Sequence, residues 1–275
     1  VAVGSLALDA NTTASNNTAV GFGALTTNTT GANNTGVGRE SLLVNTTGAE
    51  NVALGVSALA ANTTASNNVA VGAFTLDANT TGGENTGIGH AVLSTNITGA
   101  SNTGVGFTSL LVNTASDNTA VGHNTLKANT TGAENVAVGA NALDANTTAA
   151  YGTAVGFNSL TANTTGNSNA AFGRSALAAN TTGASNTAVG QAALQTNTTA
   201  SNNSALGYAS LFLNTTGTSN VALGASALYN NTTASNNTAV GASALNANTT
   251  GDLNVAIGAS SLDANTTGSR NVALG

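Results

Sequence analysis

Two histidines are the residues of this sequence whose side chains most readily bind metals or transfer protons. His90 and His123 are its only histidines, and each directly follows a glycine of a repeat with a period of 17 residues, two repeats apart. On the spacing of about 4.8 Å between stacked strands they lie about 10 Å apart, too far to share one metal ion directly. Neither has a recurring acidic neighbour for a Ser/His/Asp set, and the acidic residues do not follow the spacing of calcium loops. We expect no catalytic residue, no metal ion and no cofactor, so the protein is not predicted to be an enzyme.

A recurring Asn-Thr-Thr run is the second feature that could carry chemistry. It forms an N-glycosylation sequon in fifteen of sixteen repeats, but Asn113-Thr114-Ala115 loses the sequon and keeps the asparagine. This favours a structural role for the asparagine and leaves the paired threonines as candidate O-glycan acceptors. The candidate acceptors are Thr12, Thr13, Thr29, Thr30, Thr46 and Thr47. Regular threonines also leave ice binding as an alternative.

Composition excludes several function classes. The 275 residues include 10 acidic and 4 basic side chains, so the net charge is −6 and too little positive charge is present to neutralise a phosphate backbone. We expect no nucleic-acid partner. The chain has no cysteine for a disulfide or thiolate site. No apolar run approaches the roughly 20 residues of a membrane span.

Internal repetition organises the whole sequence. An aliphatic residue followed by glycine recurs from Gly4 to Gly275, and fifteen of the sixteen intervals are 17 residues long. The exception, Gly106 to Gly122, is one residue shorter and predicts a local kink or a tightened corner near Thr114. We predict a single uninterrupted array over residues 1–275. Because the array begins and ends in phase without a polar cap, we expect a segment of a longer fibre or end-to-end stacking.

The repeat predicts an all-β fold, a parallel β-solenoid or β-roll of about sixteen 17-residue coils. Counting each glycine as position 0, position 4 is leucine and position 7 is asparagine in all sixteen units, and asparagine, threonine and glycine are poor helix formers. Leucines stacked on leucines predict a core ladder that includes Leu8, Leu25, Leu42, Leu59, Leu76 and Leu93. Stacked amides predict an asparagine ladder that includes Asn11, Asn28, Asn45, Asn62, Asn79, Asn96, Asn113 and Asn129.

Positions 13 to 17 form the clearest strand, for example residues 51–55. Alternation places Val52 and Leu54 (positions 14 and 16) on one face, where we expect position 16 to meet the leucine of position 4, carried on a second short strand. Position 15 is always alanine or glycine, as at Ala53, so something must press against the other face. Either a turn of the same coil or a neighbouring chain would do so, and we favour a homo-oligomer around a central axis.

The string Asn254-Val255-Ala256-Ile257-Gly258, followed by Ala-Ser-Ser-Leu, resembles the head repeats of YadA-like trimeric autotransporter adhesins. Similar units look common in bacteriophage tail fibres. The resemblance implies a left-handed parallel β-roll, a homotrimer, and an extracellular, cell-surface or virion-fibre setting.

We therefore expect an extracellular structural fibre or adhesin shaft, assembled from copies of the chain and decorated with glycans. The alternative is a glycan- or matrix-binding head or tail-fibre module. Exposed aromatic side chains at position 1 could stack on the sugars of such a ligand, namely Phe22, Phe107, Phe157 and Tyr208.

Overall fold

The computed structural model describes all 275 residues and contains β-strands and turns but no helix. Accordingly, it offers no helix with the length and hydropathy that crossing a membrane requires. The chain divides into two compact units, Val1–Asn135 and Val136–Gly275.

Each unit is a stack of short strands. In the first unit they are β1 (Ala2–Val3), β2 (Thr18–Val20), β3 (Thr35–Val37), β4 (Val52–Leu54), β5 (Val69–Val71), β6 (Thr86–Ile88), β7 (Thr103–Val105) and β8 (Thr119–Val121). In the second they are β9 (Val136–Val138), β10 (Thr153–Val155), β11 (Ala170–Phe172), β12 (Thr187–Val189), β13 (Ser204–Leu206), β14 (Val221–Leu223), β15 (Thr238–Val240), β16 (Val255–Ile257) and β17 (Val272–Leu274).

Within each unit every strand pairs in parallel with the strand of the next coil. Val52 of β4, for example, pairs with Val69 of β5, its equivalent 17 residues later. Parallel pairing of consecutive strands at a constant register means that one repeat climbs one level. The predicted parallel β-solenoid of 17-residue coils is therefore confirmed.

The glycine at position 0 ends each strand and permits close approach of adjacent coils. Gly21 has φ +134°, and a Cβ at this residue would lie 2.5 Å from the carbonyl oxygen of Gly38 in the next coil. No other residue type satisfies both the dihedral angle and the contact. The invariance of this glycine therefore follows from the stacking of backbone on backbone.

The inward face of each strand is the opposite of the one that we predicted. Ala53 at position 15 is buried, whereas Val52 and Leu54 at positions 14 and 16 are exposed. In the coil where position 15 is Gly36, a Cβ added to this residue would lie 3.4 Å from Cγ of Leu25, in ordinary van der Waals contact. Position 15 is small because the leucine side chain fills the interior behind it. A turn of the same chain, rather than a neighbouring chain, presses on this face.

The leucine of position 4 is buried, as predicted, except in the first and last coils, where Leu8 and Leu262 are half-buried. It does not lie on a second strand. It lies in a turn, with φ of +53° at Leu25 and +50° at Leu42. Leucine rarely adopts this left-handed conformation. Two backbone hydrogen bonds hold it there. The N–H of Leu25 donates to the carbonyl of Ser41 in the next coil at 3.0 Å, and the carbonyl of Leu25 accepts from the N–H of Asn28 in its own coil at 3.3 Å.

Candidate functional site

The predicted asparagine column forms a hydrogen-bonded ladder. Nδ2 of Asn45 donates to Oδ1 of Asn28 at 2.7 Å, and Nδ2 of Asn62 donates to Oδ1 of Asn45 at 2.8 Å. Each amide also donates to the carbonyl three residues later in its own coil, as from Asn45 to Gly48 at 2.9 Å. All of the named ladder residues are buried except Asn11, which is half-buried in the first coil. These side chains are structural, because both donor hydrogens are used inside the stack.

A second ladder runs along position 13, and sequence reasoning missed it. Both the backbone N–H and Nδ2 of Asn51 donate to Oδ1 of Asn34, at 3.0 and 3.1 Å. Nδ2 of Asn34 donates to the carbonyl of Gly48 at 2.8 Å, the same carbonyl that accepts from Asn45. This carbonyl joins the two ladders. The available signal was asparagine in fifteen of sixteen units at position 13.

The two ladders are each interrupted once. Gly152 replaces the asparagine of position 13, and in the following coil Nδ2 of Asn169 donates to the carbonyls of Gly166 and Gly183, at 3.0 and 2.7 Å. In the shortened coil, Nδ2 of Asn113 reaches the carbonyl of Ala115, two residues later, at 2.7 Å. The corner is tightened, as predicted.

The tightened corner leaves a defect in the interior. Asn113 does not donate to the asparagine of the preceding coil, and Oδ1 of Asn96 is buried without a hydrogen-bond partner. One missing residue therefore removes one rung of the ladder.

The two threonines of each Asn-Thr-Thr run have different environments. The hydroxyl of Thr29, at position 8, is half-buried and donates to the carbonyl of Thr46 at 3.0 Å. Thr12 and Thr46 make the equivalent bond to the next coil at the same distance. Because these hydroxyls bind the backbone, position 8 does not supply the outward ladder that an ice-binding face needs.

Threonines at position 9 project into solvent. Thr13, Thr30 and Thr47 are exposed, and their hydroxyl groups make no hydrogen bond within the chain. Of the six candidate glycan acceptors, these three have the accessible oxygen that a modification requires.

The outward face of the strands carries positions 14 and 16. Position 16 is aliphatic in every coil except that of Phe172, whereas position 14 is threonine or serine in nine coils, valine in six and alanine in one. Leu206 of β13 is 47% exposed and Leu223 of β14 is 41% exposed. No charged residue occurs at position 14 or 16 of any coil. We call the side chains at these two positions the sheet face. The apolar part of this face is the column of position 16, and exposed apolar patches on monomeric proteins mark sites of association.

The two histidines belong to an aromatic stack on the surface of the first unit. The His90 ring lies between Phe74 and Phe107, with centroids 5.9 and 5.5 Å away, and His123 stacks on Phe107 at 5.4 Å. The ring of Phe107 therefore separates the two imidazoles. No group of three or more histidine, aspartate or glutamate side chains is placed to hold a metal ion.

Comparisons with known proteins give no relative: no family model matches the chain, and no curated protein or solved structure shows significant similarity to it.

Proposed function

We propose that the chain is a structural segment of an extracellular fibre, in which copies of the chain associate through the sheet face. The observation that carries this proposal is the exposure of uncharged aliphatic side chains along the strands of each unit, as at Leu206 and Leu223. The interior is already filled by leucine, alanine and asparagine, so the sheet face contributes nothing to it. Burying this face against a partner would remove apolar area from water, at about 25 cal/mol per Å².

A second copy of the chain is the partner that fits best. The sheet face repeats with every coil, at the spacing of adjacent parallel strands. Another copy presents side chains of the same kind at the same spacing, so two copies match along their length without any further adaptation. Symmetric self-association of this kind is the commonest route to oligomers. The resemblance noted above implies three chains per assembly.

The test is sedimentation velocity of the purified chain. We expect a single oligomeric species rather than the 26.2 kDa monomer. The double substitution Leu206→Lys and Leu223→Lys places two charges on the sheet face in adjacent coils and should give monomers.

The matched control is the double substitution Thr199→Lys and Thr216→Lys. It adds the same charges in the same two coils, at exposed residues of position 9. The control should sediment like the unmodified protein. A monomeric unmodified chain, or oligomers that survive the leucine substitutions, would refute the proposal.

We also propose that the exposed threonines of position 9 carry O-linked glycans in the native fibre. Their unbonded hydroxyls, as at Thr30 and Thr47, support this assignment over position 8. Mass spectrometry of proteolytic peptides that contain Thr30 or Thr47, from protein isolated from its natural source, should give masses above those of the bare peptides. Peptide masses equal to those of the bare sequence would refute decoration.

A further inference from the structure

Several uncommon side chains of the repeat meet in one depression of the second unit. Gln191 and Gln195 are the only glutamines of the chain. They line a depression of about 190 Å³ together with Arg174, Tyr208 and Phe212. Other coils also carry large side chains at position 1, such as Phe107 and Phe157, but only this stretch combines an arginine with glutamines.

Stacking of consecutive coils builds the depression from two columns. Arg174, Gln191 and Tyr208 occupy position 1 of three successive coils, and the backbone carbonyls of Arg174 and Gln191 accept hydrogen bonds from the next coil, both at 3.0 Å. Gln195 and Phe212 occupy position 5 of two successive coils, one of which they share with Gln191 and the other with Tyr208. In this stretch position 2 carries only small side chains, and two of them, Ser175 and Ala192, line the depression between the columns.

The electrostatic setting favours an anion. Arg174 is the only charged residue between Asp144 and Asp252, although the chain as a whole has a net charge of −6. No carboxylate in that stretch competes for the guanidinium, which makes no hydrogen bond or ion pair within the chain. A guanidinium can bind a carboxylate with two parallel hydrogen bonds.

The remaining groups match the rest of a sugar ring. The side-chain amides of Gln191 and Gln195 make no hydrogen bond within the chain, and an amide offers both donor and acceptor to neighbouring hydroxyls. The Tyr208 side chain is 59% exposed, and Phe212 stacks on Tyr229 with centroids 5.0 Å apart, which fixes its ring. Such rings supply an apolar surface with little flexibility to lose on binding.

We propose that this depression binds a single acidic sugar unit, with the sugar carboxylate on Arg174, its hydroxyls on the two glutamine amides and its ring against Tyr208 and Phe212. The volume is below the roughly 300–1,000 Å³ of pockets that enclose drug-sized ligands, so it suits one ring of a longer glycan. The site lies on columns distinct from the sheet face. Its function as a glycan-binding site is therefore independent of self-association.

The test is titration calorimetry of the whole chain with methyl β-D-glucuronide and, separately, with methyl β-D-glucoside. We expect the glucuronide to bind about tenfold more tightly than the neutral glucoside, the ratio expected for one charge-assisted contact at an exposed site. Arg174→Gln should reduce glucuronide affinity to that of the glucoside. Tyr208→Ala should weaken both sugars.

The control substitution is Arg39→Gln, which removes an exposed arginine at the same position of a distant coil. It should leave glucuronide binding unchanged. Equal affinities for the two sugars, acetate binding as tightly as glucuronide, or undiminished binding in the Arg174→Gln variant would overturn the proposal. Sedimentation of the same samples reports self-association separately, so failure of the sugar site and failure of the proposed assembly are distinguishable.

Discussion

Nδ2 of Asn197 lies 2.8 Å from Oδ1 of Asn180, its counterpart one coil earlier. The same nitrogen donates to the carbonyl of Ala200 at 3.0 Å, and Oδ1 of Asn197 accepts from Asn214 at 2.9 Å. Two acceptors therefore face the amide nitrogen in a fully buried site. Any group that replaces this nitrogen must donate a hydrogen.

Asn197→Asp should make stability depend on pH. An ionised carboxylate would turn an oxygen toward the two acceptors, so the folded state favours the neutral acid and raises the pKa of the new carboxyl above the unfolded value of about 3.9. Below that value the variant keeps most of its stability. As pH rises through the folded pKa, the stability is lost, and at pH 7.5 the loss relative to the unmodified chain should reach about 3–5 kcal/mol.

Urea unfolding of both proteins at pH 3.5 and 7.5 measures this difference. Asn202→Asp is the control, since Asn202 is exposed in the same coil and aspartate occupies the equivalent position at Asp117. The control should track the unmodified chain at both pH values. An Asn197→Asp variant that is equally stable at both would contradict the buried ladder.

Insertion of a threonine between Thr114 and Ala115 should stabilise the first unit. It restores the length of the shortened coil, and the amide of Asn113 can then donate to the unpartnered Oδ1 of Asn96. A satisfied buried acceptor is worth about 1–3 kcal/mol. The measurement is the midpoint of urea unfolding.

The control insertion is a threonine between Thr81 and Gly82, in a coil of normal length. There the extra residue displaces the Gly82 carbonyl from Asn79, which now donates to it at 2.9 Å, so the protein should be destabilised. If both insertions destabilise the chain alike, the shortened corner is not a defect.

Ser243→Gly should stabilise the second unit by about 1 kcal/mol. Ser243 has φ +56° and its hydroxyl makes no hydrogen bond, so glycine relieves strain without loss of a contact. Glycine occurs naturally at the equivalent Gly23, with φ +68°. Thermal and urea unfolding report the change.

Its control is Ala247→Gly, in the same coil as Ser243 and outside the left-handed region. Here glycine adds only flexibility to the unfolded chain and should destabilise by about 0.5–1 kcal/mol. Loss of stability in both variants would mean that the position 2 backbone is not strained.

Val92 and Gly104 should behave as a coupled pair. A Cβ on Gly104 would lie 2.5 Å from Cγ1 of Val92, so Gly104→Ala alone overfills the interior and Val92→Ala alone leaves a cavity. Each should cost about 1–3 kcal/mol. The double variant recreates the alanine pair found at Ala176 and Ala188. Its loss of stability should be smaller than the sum of the two single losses, by about 1 kcal/mol or more. Additive free energies of unfolding would show that the two sites do not share space.

The sequence was sufficient to predict the coil, the buried leucines and the position 7 ladder, because each repeats without variation and each serves one physical purpose. The prediction of which strand face points inward was wrong. Aliphatic residues such as Val52 and Leu54 are typical of a core, and the small Ala53 is typical of an interface, but the structure exposes the first two and buries the third. Only coordinates show that the leucine fills the space beside position 15. The left-handed leucines could not have been anticipated, because the strain at Leu25 is opposed in part by a hydrogen bond to the next coil, which exists only in the stack.

Hydrogen bonds between coils join residues 13 to 20 apart, as from Asn102 to Ala115, Thr29 to Thr46 and Thr26 to Leu6. A coil therefore interacts with its immediate neighbours alone. A genetic recombination event that duplicates or removes 17 codons leaves every surviving coil with an equivalent neighbour on each side. The gene can thus lengthen or shorten by whole repeats without any compensating mutation in the interior.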